Sequence, residues 1–506
     1  MHPNTIRDAK RQLLLAASLI AVAASSVVAF LVTRLPAFAV LALLAVFGVQ
    51  FGFGRGLVVG SEAGASTNES LATLAGNLKV VYGKKLVEVL PDAAILQKLH
   101  PLESSEEYPL VGEYFSALIG VQLPWGLSFL GNGTEGTATN YTLGDALAGQ
   151  TKPAKIYPAT QVMVDNLQYQ ILDRAAKQGD QAVLSAMTLT GKQMAINSRN
   201  VLELQLLHGR EGIGTASAGI SSTTVTLDPA TTSPGILSIL KGARVQFMQS
   251  NNTTARTTNN SSNYLTVSSV SLANLASPTV TLTATGTTGI ANITTGDIMY
   301  IAGTRGVSVT AGDTNVPHYE QIGLGLQLSA TTGSLFDISK DDFQGWVANQ
   351  IPTIGAFTPS ALMSAASLSL ARGGQLGEYE AVISPRAWGV LNSALATNEI
   401  YDKPDSFTMA KKSGTDDIVI YNAGIKMNVI PHPFQKDGRF YVYPKSELKR
   451  IGSIDLTFSI PGKSGDEEFF FPITGQAVMQ RQTRADWQAV LLTPPSGTIG
   501  TGITYS

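Results

Sequence analysis

DQAVLSAMTLTGKQMAINSRNVLELQLLHG, Asp180 to Gly209, is the stretch whose reading decides the fold. Asp180 can cap a helix. Val183, Met187, Met194, Val201 and Leu204 recur at helical spacing, and Gly209 can end the run after His208. At 1.5 Å per residue this is a rod about 42 Å long, which is long for a compact enzyme domain. Gln193, Asn197, Arg199, Asn200 and Gln205 leave the opposite side polar, so the rod is expected to lie with one face across a sheet rather than be wrapped all round. Gly191, in its interior, costs roughly 1 kcal/mol against alanine and therefore signals close packing or a bend. Just upstream, Leu167, Tyr169 and Ile171 alternate with Gln168 and Gln170, which describes a strand feeding the helix.

Working outward towards the N-terminus, residues 111–160 are rich in glycine and turns, with short apolar pieces such as Ala117 to Leu123. This reads as a long β-excursion without a core of its own, which makes sense if it packs on another molecule. Residues 61–110 read as an extended arm in which Gly83 to Leu99, interrupted by Pro91, is a helical or extended segment needing a partner surface. Residues 1–60 differ from everything after them. Leu13 to Thr33 and Pro36 to Phe53 are uncharged apolar runs, each near the length that crosses a bilayer, with Arg7, Lys10 and Arg11 before them and Arg55 after. Three readings stand side by side: a membrane hairpin, a signal peptide ending near Ala21-Val22-Ala23, and a misassigned start codon near Leu57 to Val59.

Towards the C-terminus, residues 216–334 are threonine- and valine-rich. Strands are expected over Thr223 to Leu227, Ala243 to Met248, Leu265 to Val270, Thr279 to Thr283 and Ile298 to Ala302, enough for a small all-β region of two packed sheets. Asn251 to Asn263 is its most polar loop. Residues 335–461 turn α/β: helices over Ser360 to Arg372 and from Pro385 to Leu395, and strands over Ala381 to Ile383, Ile418 to Tyr421, Lys426 to Ile430 and Phe440 to Tyr443. In residues 462–506, Phe469 to Phe471, Ala477 to Gln480 and Trp487 to Thr493 are three further strands ahead of a Gly/Thr-rich tail.

Composition excludes several chemistries. Among 506 residues there is no cysteine, which removes disulfides, thiolate metal sites and cysteine nucleophiles together. The balance of 35 basic against 37 acidic residues shows no basic patch of the kind a nucleic-acid reader carries. His2, His100, His208, His318 and His432 lie far apart with no ligand partner at turn or helix spacing, so they are expected to be solvated or helix-terminal. Gly209, Gly212 and Gly214 follow a helix, whereas phosphate-binding glycines precede one, so they mark a stop. Asp466, Glu467 and Glu468 read as a solvated turn, Asp341-Asp342 as a helix cap, and no serine sits in a nucleophile elbow. No catalytic residue, metal site or cofactor site is expected.

The order of arm, long β-excursion, strand feeding a long helix, and α/β region whose chain returns to the first sheet resembles the major capsid (coat) proteins of tailed bacteriophages, with the Hong Kong 97-type fold. Leu167-Gln168-Tyr169-Gln170-Ile171, then Asp173-Arg174-Ala175-Ala176 and Gly179-Asp180, is similar to that family's junction of extended loop and spine helix, and Leu204 to Gly209 to the helix end. Gly296-Asp297-Ile298-Met299-Tyr300 with Gly323-Leu324 and Trp346 resembles a following β-region. Ala381 to Pro385 with Leu391, Ile425 to Pro431 and Tyr441 to Pro444 are similar to the family's tip domain. The resemblance spans residues 61–495 and leaves 1–60 outside it. It implies an α+β fold: N-terminal arm (61–110), extended loop (111–160), spine helix of a peripheral domain (161–215), inserted β-rich subdomain (216–334), axial α/β domain (335–461) and C-terminal strands returning to the peripheral domain (462–506).

The function so implied is structural: hexamers and pentamers of an icosahedral head around double-stranded DNA, assembled in a host cytoplasm. Its partners would be other copies of the chain, non-specifically contacted DNA, a scaffolding protein, a portal and a maturation protease. Leu118, Val121, Trp125, Lys152, Lys155 and Asn200 are the candidate inter-subunit contacts. Some members of the family crosslink through lysine and asparagine, but no matching motif surrounds Lys152 or Lys155. The alternatives are a membrane-anchored, β-rich surface protein or adhesin, motivated by Leu13 to Phe53, and a hydrolase with a scattered site.

Overall fold

Among the described residues the arm, hairpin and long helix come first. The computed structural model describes residues 93–103, 106–123, 149–168, 180–217, 223–256, 264–283, 293–305, 318–397, 418–422, 424–458, 470–472 and 478–505. Expectations placed on residues 1–92, Trp125, Tyr169 to Gly179 and Asp466 to Glu468 lie outside them. The arm ends in a short helix, α1 (Ile95–Leu99), and strand β1 (Leu102–Glu103), followed by β2 (Leu110–Val111), β3 (Tyr114–Gln122), β4 (Gln150–Ile156) and β5 (Ala159–Gln168). β2, β3 and β4 make an antiparallel sheet.

The long helix α2 runs over Asp180–His208, 29 residues, with the ends read from the sequence. Its stop is set by packing. A Cβ on Gly209 would overlap the carbonyl of Gln321, and the Gly323 amide donates to the Gly209 carbonyl at 3.0 Å. Arg210, not a glycine, takes the left-handed conformation that closes the helix, with φ 66°. Gly191 seats the fully buried guanidinium of Arg481, which a Cβ would overlap, so close packing and not a bend explains it.

The expected division of this helix into an apolar and a polar face needs correction. Every residue from Leu202 to Gly209 is buried; Asn200 is buried too, while Val201 is only half-buried. The C-terminal half is wrapped because three bodies meet on it, the arm, the β-rich region and the α/β region, and each supplies a surface. Leu202, Leu204, Leu206 and Leu207 therefore all join the principal core.

After the helix come β6 (Gly214–Thr215), β7 (Thr224–Thr226), α3 (Pro234–Ser238), β8 (Arg244–Met248), β9 (Leu265–Ser271), β10 (Thr279–Thr283) and β11 (Ile298–Ile301). Their sheet has the order β6-β11-β8-β9-β10-β7, and a bridge between Ala216 and Leu227 joins its two ends. One small closed sheet replaces the expected pair. Closure lets short strands bury one face, here Val225, Val245, Phe247, Val267, Val280, Leu282 and Met299, without leaving long open edges.

The rest begins with α4 (Leu324–Ser329), β12 (Ser334–Leu335), β13 (Ile338–Ser339), β14 (Asn349–Ile351), β15 (Gly355–Ala356), α5 (Pro359–Ala371), β16 (Glu378–Ile383) and α6 (Pro385–Thr397). Asp341 does not cap a helix; its carboxylate accepts the Gly333 amide at 3.1 Å in a turn. Then follow β17 (Ile418–Asn422), β18 (Ile425–Pro431), β19 (Arg439–Pro444), β20 (Leu448–Thr457), β21 (Phe470–Pro472), β22 (Val478–Leu491), β23 (Thr498–Thr501) and β24 (Ile503–Thr504). The central sheet runs β14-β23-β19-β16-β18-β17. Helices α5 and α6 cover one face through Leu362, Ala365, Ala366, Ala387 and Leu391. On the opposite face Val382, Tyr441 and Tyr443 meet the core around α2.

Two strand expectations also change. Ala477 to Gln480 and Trp487 to Thr493 belong to one 14-residue strand, β22, which pairs antiparallel with β5 from Gln168 to Ala159. The chain thus does return to the sheet that precedes the long helix. The Gly/Thr-rich tail is no tail: Thr498–Thr501 is a buried strand between β14 and β19.

Candidate assembly surface

The hairpin of β3 and β4 is built on strand alternation. Phe115 and Ala117, with Ala154 and Ile156 opposite, point into a cluster that includes Leu335, Phe336, Trp346, Ile451 and Val490. Its base is thus part of the protomer core, contrary to the expectation of an excursion with no core. Further out, Ile119 and Val121 pack half-buried against the same cluster, while Leu118 on the other face is 74% exposed. Leu123 is 85% exposed, and Leu110, Val111 and Tyr157 are exposed around the base. Burying one such leucine is worth roughly 1.5–3 kcal/mol, so the hairpin offers free energy to whatever packs on it.

The other candidate contacts separate on this geometry. Val121 is half-buried against the cluster at the hairpin base. Lys152 is exposed, its ammonium 6.0 Å from the Phe343 ring centroid. Lys155 is engaged inside the protomer: its ammonium lies 2.6 Å from Asp337 and 5.7 Å from the Tyr114 ring, and its amide donates to Phe336 O at 2.9 Å. The hydrogen bond to Asp337 raises the Lys155 pKa. Phe336 and Asp337 have φ of 52° and 66°, a conformation that side chains resist, so Lys155 steadies a strained two-residue turn. Asn200 is 1% exposed and is engaged within the protomer, its side-chain oxygen accepting the Ala93 amide at 3.0 Å.

Behind the hairpin, one carboxylate joins three parts of the chain. Glu203 on α2, fully buried, accepts the amides of Leu96 at 2.6 Å and Gln97 at 3.2 Å, satisfying the first turn of α1, which has no internal partners for them. It also faces His432 Nε2 at 2.9 Å. His100, the residue after α1, pairs with Glu380 of β16 at 2.8 Å, and Arg450 donates to the carbonyls of Gln97 and His100. His208 is buried at the helix end. Burial, then the cation of Lys436, holds its pKa down to about 3.

His100 and His208 are helix-terminal, as one of the two expectations had it, but they are buried and not solvated. His432 is neither solvated nor helix-terminal, and all three are buried with a specific partner. The signal in the sequence was Glu203, a charge set among Leu202, Leu204, Leu206 and Leu207 where an apolar stripe would exclude it.

A cleft of about 410 Å³ opens beside this junction, lined by Glu103, Glu378, Lys445 and Lys449 among others. Its charges are paired, Lys449 with Glu103 at 2.6 Å and Lys445 with Glu378 at 4.0 Å, and Glu378 also with Lys426 outside the cleft at 2.9 Å. Among the described residues no group of three or more His, Asp or Glu side chains is placed to hold a metal ion, and no helix is long and apolar enough to cross a membrane.

Among the solved structures to which the chain is similar are phage and particle capsids and an encapsulin. The capsid of cyanophage A-1(L) is 11% identical, over 84% of this chain and 96% of that one, with a TM-score of 0.45. The capsid of the native GTA particle is 8% identical, over 87% and 100%, at 0.40, and an encapsulin complex from Synechococcus elongatus is 9% identical, over 86% and 98%, at 0.37. No protein-family model and no curated protein sequence matches.

Proposed function

We propose that this chain is the structural subunit of a self-assembling icosahedral phage head, built from hexamers and pentamers and enclosing double-stranded DNA. The observation that carries this reading is the hairpin: it is anchored in the protomer by Phe115, Ala117, Ala154 and Ile156, yet it extends Leu118 and Leu123 into solvent. A monomer gains nothing from that arrangement, whereas a repeating assembly buries those side chains on each neighbour. The near balance of 35 basic and 37 acidic residues suits a wall that lines packaged DNA without reading it. The apolar runs of Leu13 to Phe53 support the second reading, a membrane-anchored surface protein.

The test is the double variant Leu118→Asp with Leu123→Asp. Both side chains are exposed, so the protomer should keep its circular dichroism and melting temperature while losing assembly. Shells formed by this variant as readily as by the unaltered chain would remove the hairpin from the account.

A further inference from the structure

Strand β5 pairs with β22 along its whole length on one side, from Ala159 to Gln168. On its other side no strand pairs with it among the described residues. Such an edge presents a row of unpaired amides and carbonyls to any extended chain, and proteins usually blunt it with lysine, proline or a bulge. β5 has none of these. Its sequence, ATQVMVDNLQ, holds one charged residue, Asp165, and its register with β22 runs unbroken over all ten residues.

The side chains point the same way. One face of the sheet lies under α2, where Met163 Sδ accepts the Ser198 hydroxyl at 3.3 Å. On the opposite face the inner strand β22 sets Gln482, Arg484 and Asp486 beside Val164, Val162 and Thr160 of β5. Polar groups thus occupy the strand that has neighbours on both sides, and apolar groups the strand at the edge. Val162 is 49% exposed and Val164 45%. The apolar surface of this face sits where one further strand would cover it.

We propose that β5 is an interface strand, pairing antiparallel with β5 of a second copy of the chain and continuing the sheet across a two-fold axis perpendicular to it. Such an axis keeps each face on its own side, so Val162 and Val164 can only oppose residues that also point away from α2. Centred on Met163, the pairing sets Val162 opposite the partner's Val164, and this contact occurs twice. Asp165 then falls opposite the partner's Gln161, so like charges do not meet. The strand is in this way complementary to itself, which is what an isologous contact requires and what selects a second copy as its occupant. The contact joins two protomers and holds whether or not the chain builds a shell.

Disulfide trapping tests it, because the chain has no cysteine of its own. Both valines are exposed, so the full-length variant Val162→Cys with Val164→Cys should fold as the unaltered chain does. In the proposed register its thiols face each other across the axis, on Cβ atoms about 4.5–5.5 Å apart, whereas in either single variant the two thiols lie on a diagonal of about 7–8 Å. Under mild oxidation the double variant should form covalent dimers roughly tenfold faster than either single variant. No covalent dimer, or equal rates in all three, overturns the pairing. Faster trapping in Leu118→Cys with Val164→Cys gives the edge to the hairpin of another copy and overturns it too. Trapped dimers without particles leave the pairing standing and count against the shell, while particles without trapped dimers do the reverse.

Discussion

Asn200 on the long helix accepts the backbone amide of Ala93 through its side-chain oxygen at 3.0 Å, across 107 positions of sequence. Asn200 and Glu203 are one turn apart on α2, so the arm is fastened to the same helix face that carries the buried carboxylate. Asn200→Asp would add a second buried charge beside Glu203, at a cost of roughly 2–4 kcal/mol. Val201→Asp, at a half-buried position, should cost less. Urea midpoints of the two variants check the order, and a larger loss for Val201→Asp would mean that the helix is turned the other way.

That order reverses what helical periodicity alone suggests. The existence, type and ends of α2 were legible because a 29-residue run with a cap and a stop has few competing readings. Which face is buried was not. Periodicity reports one buried stripe, whereas a helix wrapped by three bodies buries polar positions wherever another part of the chain supplies a partner, as Ala93 does for Asn200 and Leu96 for Glu203. The strands of the closed sheet were likewise legible from their Thr/Val runs, but its closure was not, because the Ala216–Leu227 bridge is a long-range fact. The candidate contacts fared by locality. Leu118 lies on an alternating strand and is exposed, while Lys155 is held by Asp337, more than a hundred residues away.

Gly191 and Arg481 give a second test. Glycine to alanine inside a helix usually adds about 1 kcal/mol of stability. Here the new methyl would overlap a guanidinium that is fully buried and stacked 4.7 Å from the Phe458 ring centroid, so it has little room to retreat. Gly191→Ala should therefore destabilise by roughly 1–3 kcal/mol. A raised melting temperature would show that Arg481 moves aside freely.

Lys340 sets a pH dependence on the alkaline side. It is fully buried, donates to the carbonyls of Gln327 at 3.3 Å and Ala330 at 2.5 Å, and burial pushes its pKa down to about 8. Between pH 8 and 10.5 the unfolded chain holds more protons at this site than the folded one, so its contribution to stability rises with pH across that window. The difference in unfolding free energy between wild type and Lys340→Met should move in favour of wild type from pH 8 to 10.5, by on the order of 2 kcal/mol. A difference that stays flat across the window would mean that the ammonium is not penalised by its site.

The hairpin should show two levels of protection in a free protomer. Residues 114–117 and 154–156, whose side chains include the buried Phe115, Ala117, Ala154 and Ile156, should exchange slowly, and residues 118–123 and 150–152 fast. On assembly only the second group should gain protection. Slow exchange of residues 118–123 already in the monomer would mean that a cover within the protomer, not a neighbouring copy, protects the outer hairpin.

The central claim, that this chain builds a shell, is tested most directly by electron microscopy of the purified full-length protein after expression in a bacterial host. The account predicts closed particles of uniform diameter whose walls resolve into six- and five-fold clusters of subunits. Monomers alone, recovered with the membrane fraction and forming no particles at any concentration or salt, would contradict it and favour the membrane-anchored reading of Leu13 to Phe53.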